Sequence, residues 1–165
     1  MPIDWSAFTK RIAIYAPIEK LYAAWSSRNG IEHWFLRKAL YKGADGTDRD
    51  AGGTVQVGDT YTWYWHGYND DTFERGKVLQ ANGKDVFEFT FGKAGIVRVE
   101  LTEERNYVLV SLTQYNIPVD EKGKEFYHVG CGEGWTFHLT NFRSIMEGGA
   151  DLRNRDEKIT RVINS

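Results

Sequence analysis

The side chains in this sequence with chemistry to offer are the scattered histidines His66, His128 and His138, one cysteine and a surplus of aromatic rings. His66, His128 and His138 fall in no His-x-His or His-Glu-x-x-His spacing, so no metal site is expected. Cys131, the single cysteine, excludes an internal disulfide and a cysteine-based zinc site. It has no cationic neighbour in sequence to lower its pKa, so an unreactive thiol is expected. No spacing suggests a Ser-His-Asp arrangement. The Asp45-to-Asp50 and Asp70-Asp71 clusters lack the ligand pattern of a calcium loop and suit turns. Glu88 and Glu100 sit at alternate strand positions expected to face solvent.

The rings are more suggestive. Tyr61, Trp63 and Trp65 alternate onto one strand face, with Tyr64 and His66 on the other. Such rings would either line a pocket for a flat or greasy ligand or fill an ordinary core. Gln114 continues the apolar row Val108, Val110, Leu112. A buried amide without a partner costs about 1–3 kcal/mol, so Gln114 would either orient a ligand carbonyl or hydroxyl, or meet solvent near its strand end. His128 and Trp135 are two helical turns apart and share a face if one uniform helix contains both. His128 would then stand at a pocket mouth as donor or general acid; otherwise it is a helix-start histidine bonded to a loop carbonyl. Gly130, Gly132 and Gly134 would cost a helix roughly 2–3 kcal/mol relative to alanine. Close approach of the helix backbone to the sheet, a ligand or another chain is the expected compensation.

These residues need elements to hold them. Phe8, Ile12 and Ile14 suggest a first strand ending near Ala16, after which Pro17 suits a helix start. Ile18, Leu21, Tyr22 and Trp25 recur at amphipathic-helix spacing. Ser26 and Ser27 can end that helix and cap a second carrying Ile31, Trp34 and Phe35. Residues 43–53 read as a polar loop. Extended segments follow at about 54–66 (broken by Gly58-Asp59), 72–81, 84–91, 96–104 and 107–117. Asn82-Gly83 between two of them predicts a two-residue type I′ hairpin. The last long segment, about 124–148, places Trp135, Leu139, Phe142 and Met146 on one stripe. As a helix it would span near 37 Å at about 1.5 Å per residue. The tail, 150–165, is charged, with a weak amphipathic hint. The expected class is α+β: a curved antiparallel sheet wrapped around a long C-terminal helix, with two short helices after the first strand. That shape leaves a hollow between helix and sheet.

The chain has 165 residues and suits one domain, 1–165. Lys plus Arg is 21 against 23 Asp plus Glu, a balance without the basic excess of a nucleic-acid or anionic-membrane binder. Aromatic residues make up 15%, more ring surface than a small core usually needs. Residues Met1 to Trp5 carry an early acid and no apolar run, so no signal peptide is expected. With no membrane span in the sequence either, the expected location is cytoplasmic.

Several runs in this order resemble a known superfamily. They are Phe8–Ile14, Ala16–Trp25 and Glu32-His33-Trp34-Phe35, which resemble the start of the START-like (helix-grip, SRPBCC) superfamily. More narrowly, the chain is similar to proteins related to the C-terminal domain of the activator of heat-shock-protein-90 ATPase. Gly58-Asp59-Thr60-Tyr61-Thr62-Trp63 matches that group's Gly-Gly-x-Phe-type strand entry, with Asp59 in place of the second glycine. His128 to Gly134-Trp135, followed by Leu139, matches its helix signature. The resemblance implies the helix-grip fold and a hydrophobic cavity; superfamily members include lipid carriers, plant hormone and allergen proteins, and aromatic polyketide cyclases. The activator also carries a separate N-terminal domain for which this chain has no room, so ATPase stimulation is not implied.

The leading expectation is a non-enzymatic module that binds a hydrophobic or aromatic small molecule or a lipid, without a cofactor. Trp63, Trp65, Phe89, Val99 and Leu112 would supply the sheet wall. Trp135 and Leu139 would supply the helix wall, with Gln114 and His128 giving orientation. Two alternatives are a chaperone-associated interaction module, using exposed rings such as Trp5 or Tyr68, and a cyclase-type enzyme with His128 or His66 as acid–base. Either a monomer or a homodimer fits.

Overall fold

The structure, a computed structural model, describes residues 1–163. Seven strands form one antiparallel sheet in the order β1-β7-β6-β5-β4-β3-β2. β1 is Phe8–Ile14, β2 Lys38–Lys42, β3 Thr60–Tyr64 and β4 Glu74–Ala81; β5 is Val86–Thr90, β6 Ile96–Glu104 and β7 Tyr107–Tyr115. Helices α1 (Ile18–Ser26) and α2 (Arg28–Trp34) follow β1. A π-helical segment, Gly123–Gly130, runs directly into α3, Cys131–Met146. The class is α+β, a curved sheet gripping a C-terminal helix.

Alternation dictates the sheet's inner face. Val97, Val99 and Leu101 of β6 and Val108, Val110 and Leu112 of β7 are all buried. The β6–β7 register sets Val99 opposite Leu112 and Leu101 opposite Val110, so two apolar rows coincide. On the helical side, Ser27 caps α2 by accepting the Gly30 N–H at 3.0 Å. Rings fill the space between. Trp34 stacks on Phe142 at 4.4 Å between centroids, Tyr61 on Trp63 at 3.9 Å, and Trp25 meets Trp34 edge-on at 4.6 Å. Each such pair adds about 0.5–1.5 kcal/mol beyond its buried area, and together they account for much of the aromatic surplus.

Several expectations change. The 54–66 segment is a strand only over 60–64. Before it the chain turns, and buried Asp59 anchors the turn through Arg49 (2.8 and 2.9 Å) and the Gln56 N–H (3.0 Å). β2 follows α2 unforeseen: Ala39 and Tyr41 face inward, but Leu40 on the outer side blurs the alternation. Opposite Tyr61, Gly76 has no room for a side chain, because a Cβ would lie 2.3 Å from the tyrosine oxygen. Asn82-Gly83 does not form the two-residue turn. Asn82 keeps negative φ and its side-chain oxygen accepts the N–H groups of Lys84, Asp85 and Val86, each at 3.0 Å, opening a four-residue loop. Glu88 is buried rather than solvated: Tyr115 donates to it at 2.9 Å and Arg98 lies at 3.6 Å.

The helix glycines do not serve close packing where their surroundings are described. A Cβ on Gly132 would come no nearer than 3.8 Å to Lys10, and one on Gly130 would meet only the Glu125 carbonyl at 3.4 Å. Part of the charged tail is anchored to the body of the fold. Arg153 is buried and uses all five of its N–H donors. Two go to the Asp151 carboxylate, at 3.0 and 2.8 Å. The others reach the carbonyls of Glu32 (3.1 Å), His33 (2.9 Å) and Leu36 (3.0 Å), which closes the C-terminal end of α2. Asn141 on α3 joins this clip by donating to the Trp34 carbonyl at 2.8 Å.

Candidate functional site

Between the start of α3 and the ends of β3 and β5 lies a cleft of about 370 Å³. Four rings wall it in a closed circuit: Phe35 meets Trp65 at 5.8 Å, Trp65 meets Phe91 at 6.4 Å, Phe91 meets Trp135 at 5.8 Å, and Trp135 meets Phe35 at 4.9 Å. Each ring comes from a different place. Phe35 follows α2, Trp65 follows β3, Phe91 follows β5, and Trp135 opens the second turn of α3. Cys131 and His138 complete the helical side, and exposed Tyr68 and Phe126 stand at the rim.

Trp135 is fixed by Gln114. The amide oxygen accepts from the indole N–H at 2.9 Å, while the amide nitrogen donates to the carbonyls of Ala94 (2.9 Å) and Tyr127 (3.2 Å). Gln114 is wholly buried, so the solvent-facing alternative for it does not hold. Its polar atoms are occupied within the chain, and it ties sheet, π segment and α3 together. Trp63, Phe89, Val99, Leu112 and Leu139 are packed in the core behind the cleft. Of the residues singled out from the sequence, Trp65 and Trp135 line the cleft itself.

His128 faces the other way. Its Nε2 lies 3.1 Å from the Asp4 carbonyl and 3.2 Å from that of Ala7, with its ring between Trp5 (5.0 Å) and Phe8 (5.4 Å). The shared face with Trp135 assumed uniform α winding. Residues 123–130 are π-wound, so each residue turns the helix less, and His128 is carried round to the N-terminal segment. Trp5, expected as an exposed ring, is partly covered by this contact.

Electrostatically the cleft is neutral. Burial pushes the His138 imidazole down to about 3, helped by the charge of Arg153 and opposed by Asp151. Neither of its ring nitrogens has a hydrogen-bond partner among the described residues. Burial also raises the Cys131 thiol, outweighing a hydrogen bond with Gln114, so at neutral pH it is an apolar wall group, not a nucleophile. His66, half-buried, is lowered by burial and by Arg153, Arg155 and Arg37. Among the described residues no three of His, Cys, Asp and Glu gather as a metal site would gather them.

The family model for Activator of Hsp90 ATPase homolog 1-like proteins matches residues 15–147. The chain belongs to this family. Structures with the family's architecture superpose over most of the chain. The solution structure of the Aha1 dimer from Colwellia psychrerythraea aligns with a TM-score of 0.66 at 17% identity, covering 87% of this chain and 97% of that one. The protein SSP2350 from Staphylococcus saprophyticus gives 0.69 at 18% identity, covering 89% and 96%. CalU16 from Micromonospora echinospora gives 0.61 at 19%, covering 88% and 77%. No curated protein sequence matches the chain. Identities this low speak for the fold; the site must be argued from this member's own side chains.

Sequence reasoning missed Phe35, Phe91, Cys131 and His138 as cleft residues; their spacing marks them only as inward-facing positions. Phe91 continues the Phe87, Phe89 row at period two. Cys131 and His138 flank Trp135 at helical offsets of four and three. No helix of the described residues is long and apolar enough to cross a membrane.

Proposed function

We propose that this family member is a binding module that takes a small hydrophobic or aromatic molecule into the cleft between α3 and the strand ends. The observation that carries this reading is the ring circuit of Phe35, Trp65, Phe91 and Trp135 around a hollow of about 370 Å³, within the usual range for small-molecule sites. Apolar walls supply affinity. The neutral imidazole and thiol offer neither a charge nor an activated nucleophile, which favours binding over turnover. The test uses the neutral fluorescent probe N-phenyl-1-naphthylamine with the full chain. Its emission should rise on binding, and Cys131→Trp, which fills the cleft, should abolish the rise while the far-ultraviolet circular dichroism stays unchanged. No enhancement, or an enhancement that survives Cys131→Trp, refutes the reading.

Family membership favours a second reading, docking to a chaperone of the heat-shock-protein-90 class. The partly exposed rings Phe126 and Tyr68 at the cleft rim, 56% and 52% exposed, would supply the contact. A pull-down with purified chaperone at low salt tests it; Phe126→Ala should release the chain, and failure of the wild-type chain to bind removes this reading.

A further inference from the structure

Resting on the proposed use of the cleft, we infer that it selects a small aromatic molecule bearing one neutral hydroxyl group, which His138 takes as its missing hydrogen-bond partner. His138 is 3% exposed and lines the cleft, yet both ring nitrogens lack a partner among the described residues. A neutral imidazole carries one donor and one acceptor, and a buried polar atom left unmatched is costly. Among the described residues no group, the Tyr68 and Thr72 hydroxyls of the same cleft included, makes a hydrogen bond to either nitrogen. Phe35 and Phe137 approach the ring edge-on at 4.8 and 5.2 Å and bring no oxygen or nitrogen. The Gln114 amide is already spent on Trp135 and two carbonyls.

A hydroxyl is both donor and acceptor, so it satisfies whichever nitrogen it reaches in either tautomer. A carboxylate fits badly. The neighbouring cation, Arg153, has every donor committed to Asp151 and to three carbonyls of α2 and its C-terminal end. The imidazole itself stays uncharged in this surrounding. The cleft's volume lies near the lower end of small-molecule sites, which suits a one- or two-ring ligand better than a long acyl chain. The nitrogens are closed to water, so the ligand reaches them by displacing a wall side chain. Trp65 and Phe91 are the wall rings that are only partly buried, and rotamer changes of this kind commonly accompany binding.

The experiment is a nitrogen-15 NMR titration of the full chain with 2-naphthol, naphthalene and 2-naphthoate, following backbone amides and the His138 ring nitrogens. The expected result is that 2-naphthol binds at least about tenfold tighter than either of the others and shifts a His138 ring nitrogen. In His138→Leu the naphthol advantage should vanish while naphthalene affinity holds. Equal or weaker naphthol binding, an advantage that survives His138→Leu, or unmoved ring nitrogens overturns the inference and leaves the binding-module reading standing. No shift by any of the three compounds at Trp65, Phe91 or Trp135 overturns both. The ring-nitrogen readout needs no variant, so it decides the matter even if His138→Leu folds poorly.

Discussion

Replacing Arg153 by methionine tests whether the tail is part of the folded unit. The variant keeps a side chain of similar reach in a fully buried slot and removes the guanidinium. Five hydrogen bonds disappear, two to Asp151 and three to the carbonyls of Glu32, His33 and Leu36. Removing one partner of a buried ion pair costs about 3–5 kcal/mol. The lower end applies, because Asp151 is 26% exposed and still has Arg155 beside it; the cost then falls on carbonyls left without donors. A loss of about 3 kcal/mol corresponds to a melting temperature lower by roughly 6–12 °C for a chain of this size. Burial would raise the Asp151 carboxyl, but hydrogen bonds from Arg153 and the charges of Arg153 and Arg155 hold it well below the usual carboxylate range. A depressed folded-state pKa contributes stability above the unfolded value, about 3.9, and loses it as pH falls toward the folded one. The variant should therefore show a shallower acid limb below about pH 4. Urea unfolding at pH 7 and at points between pH 4 and 2 measures both effects. A loss under about 1 kcal/mol, with an unchanged acid limb, would show that the tail merely rests on the surface and that the reasoning is wrong.

His138→Leu should stabilise the chain by about 1–3 kcal/mol at pH 7, because it deletes two unsatisfied buried nitrogens. Since the folded imidazole titrates near 3 and the unfolded one near 6.5, the wild-type chain loses stability as pH falls through that interval. The slope reaches at most about 1.4 kcal/mol per pH unit. In denaturant melts the leucine variant should lose most of this slope, with His66 supplying the remainder. Gln114→Ala leaves the Trp135 indole and the carbonyls of Ala94 and Tyr127 without their partner. It should cost about 3 kcal/mol or more and weaken N-phenyl-1-naphthylamine binding as Trp135 loses its fixed orientation. Gly132→Ala should raise stability by about 1 kcal/mol, seen as a higher melting temperature, because a Cβ there meets only Lys10 at 3.8 Å.

Where one physical rule dominates, the sequence was readable. β6 matches its expected bounds, and the Trp135, Leu139, Phe142, Met146 stripe is buried as its spacing required. The misses came where side chains overruled local pattern. Leu40 hid β2 by facing outward on an alternating strand. Asn82 used its side chain to cap three N–H groups, so a dipeptide that usually makes a two-residue turn made a longer loop. The π winding before α3 cannot be seen in a hydrophobic stripe, yet it decided where His128 points. Most of the cleft was out of reach for a related reason. Phe35, Phe91 and His138 are ordinary core-pattern positions, and only their meeting around one hollow distinguishes them. Arg153 was invisible because one arginine among several in a charged tail gives no sign that a helix end is waiting for it.

That arginine lies beyond residue 147, where the family match stops. A fragment trimmed at that boundary would keep every strand and helix and would look complete by secondary structure. It would nonetheless lack the plug that holds the Trp34-Phe35-Leu36 corner, and with it the footing of one wall of the ring circuit. Ligand screens run on such a shortened protein would sample a looser, wider opening than the full chain presents, and compounds ranked there would favour bulk over fit.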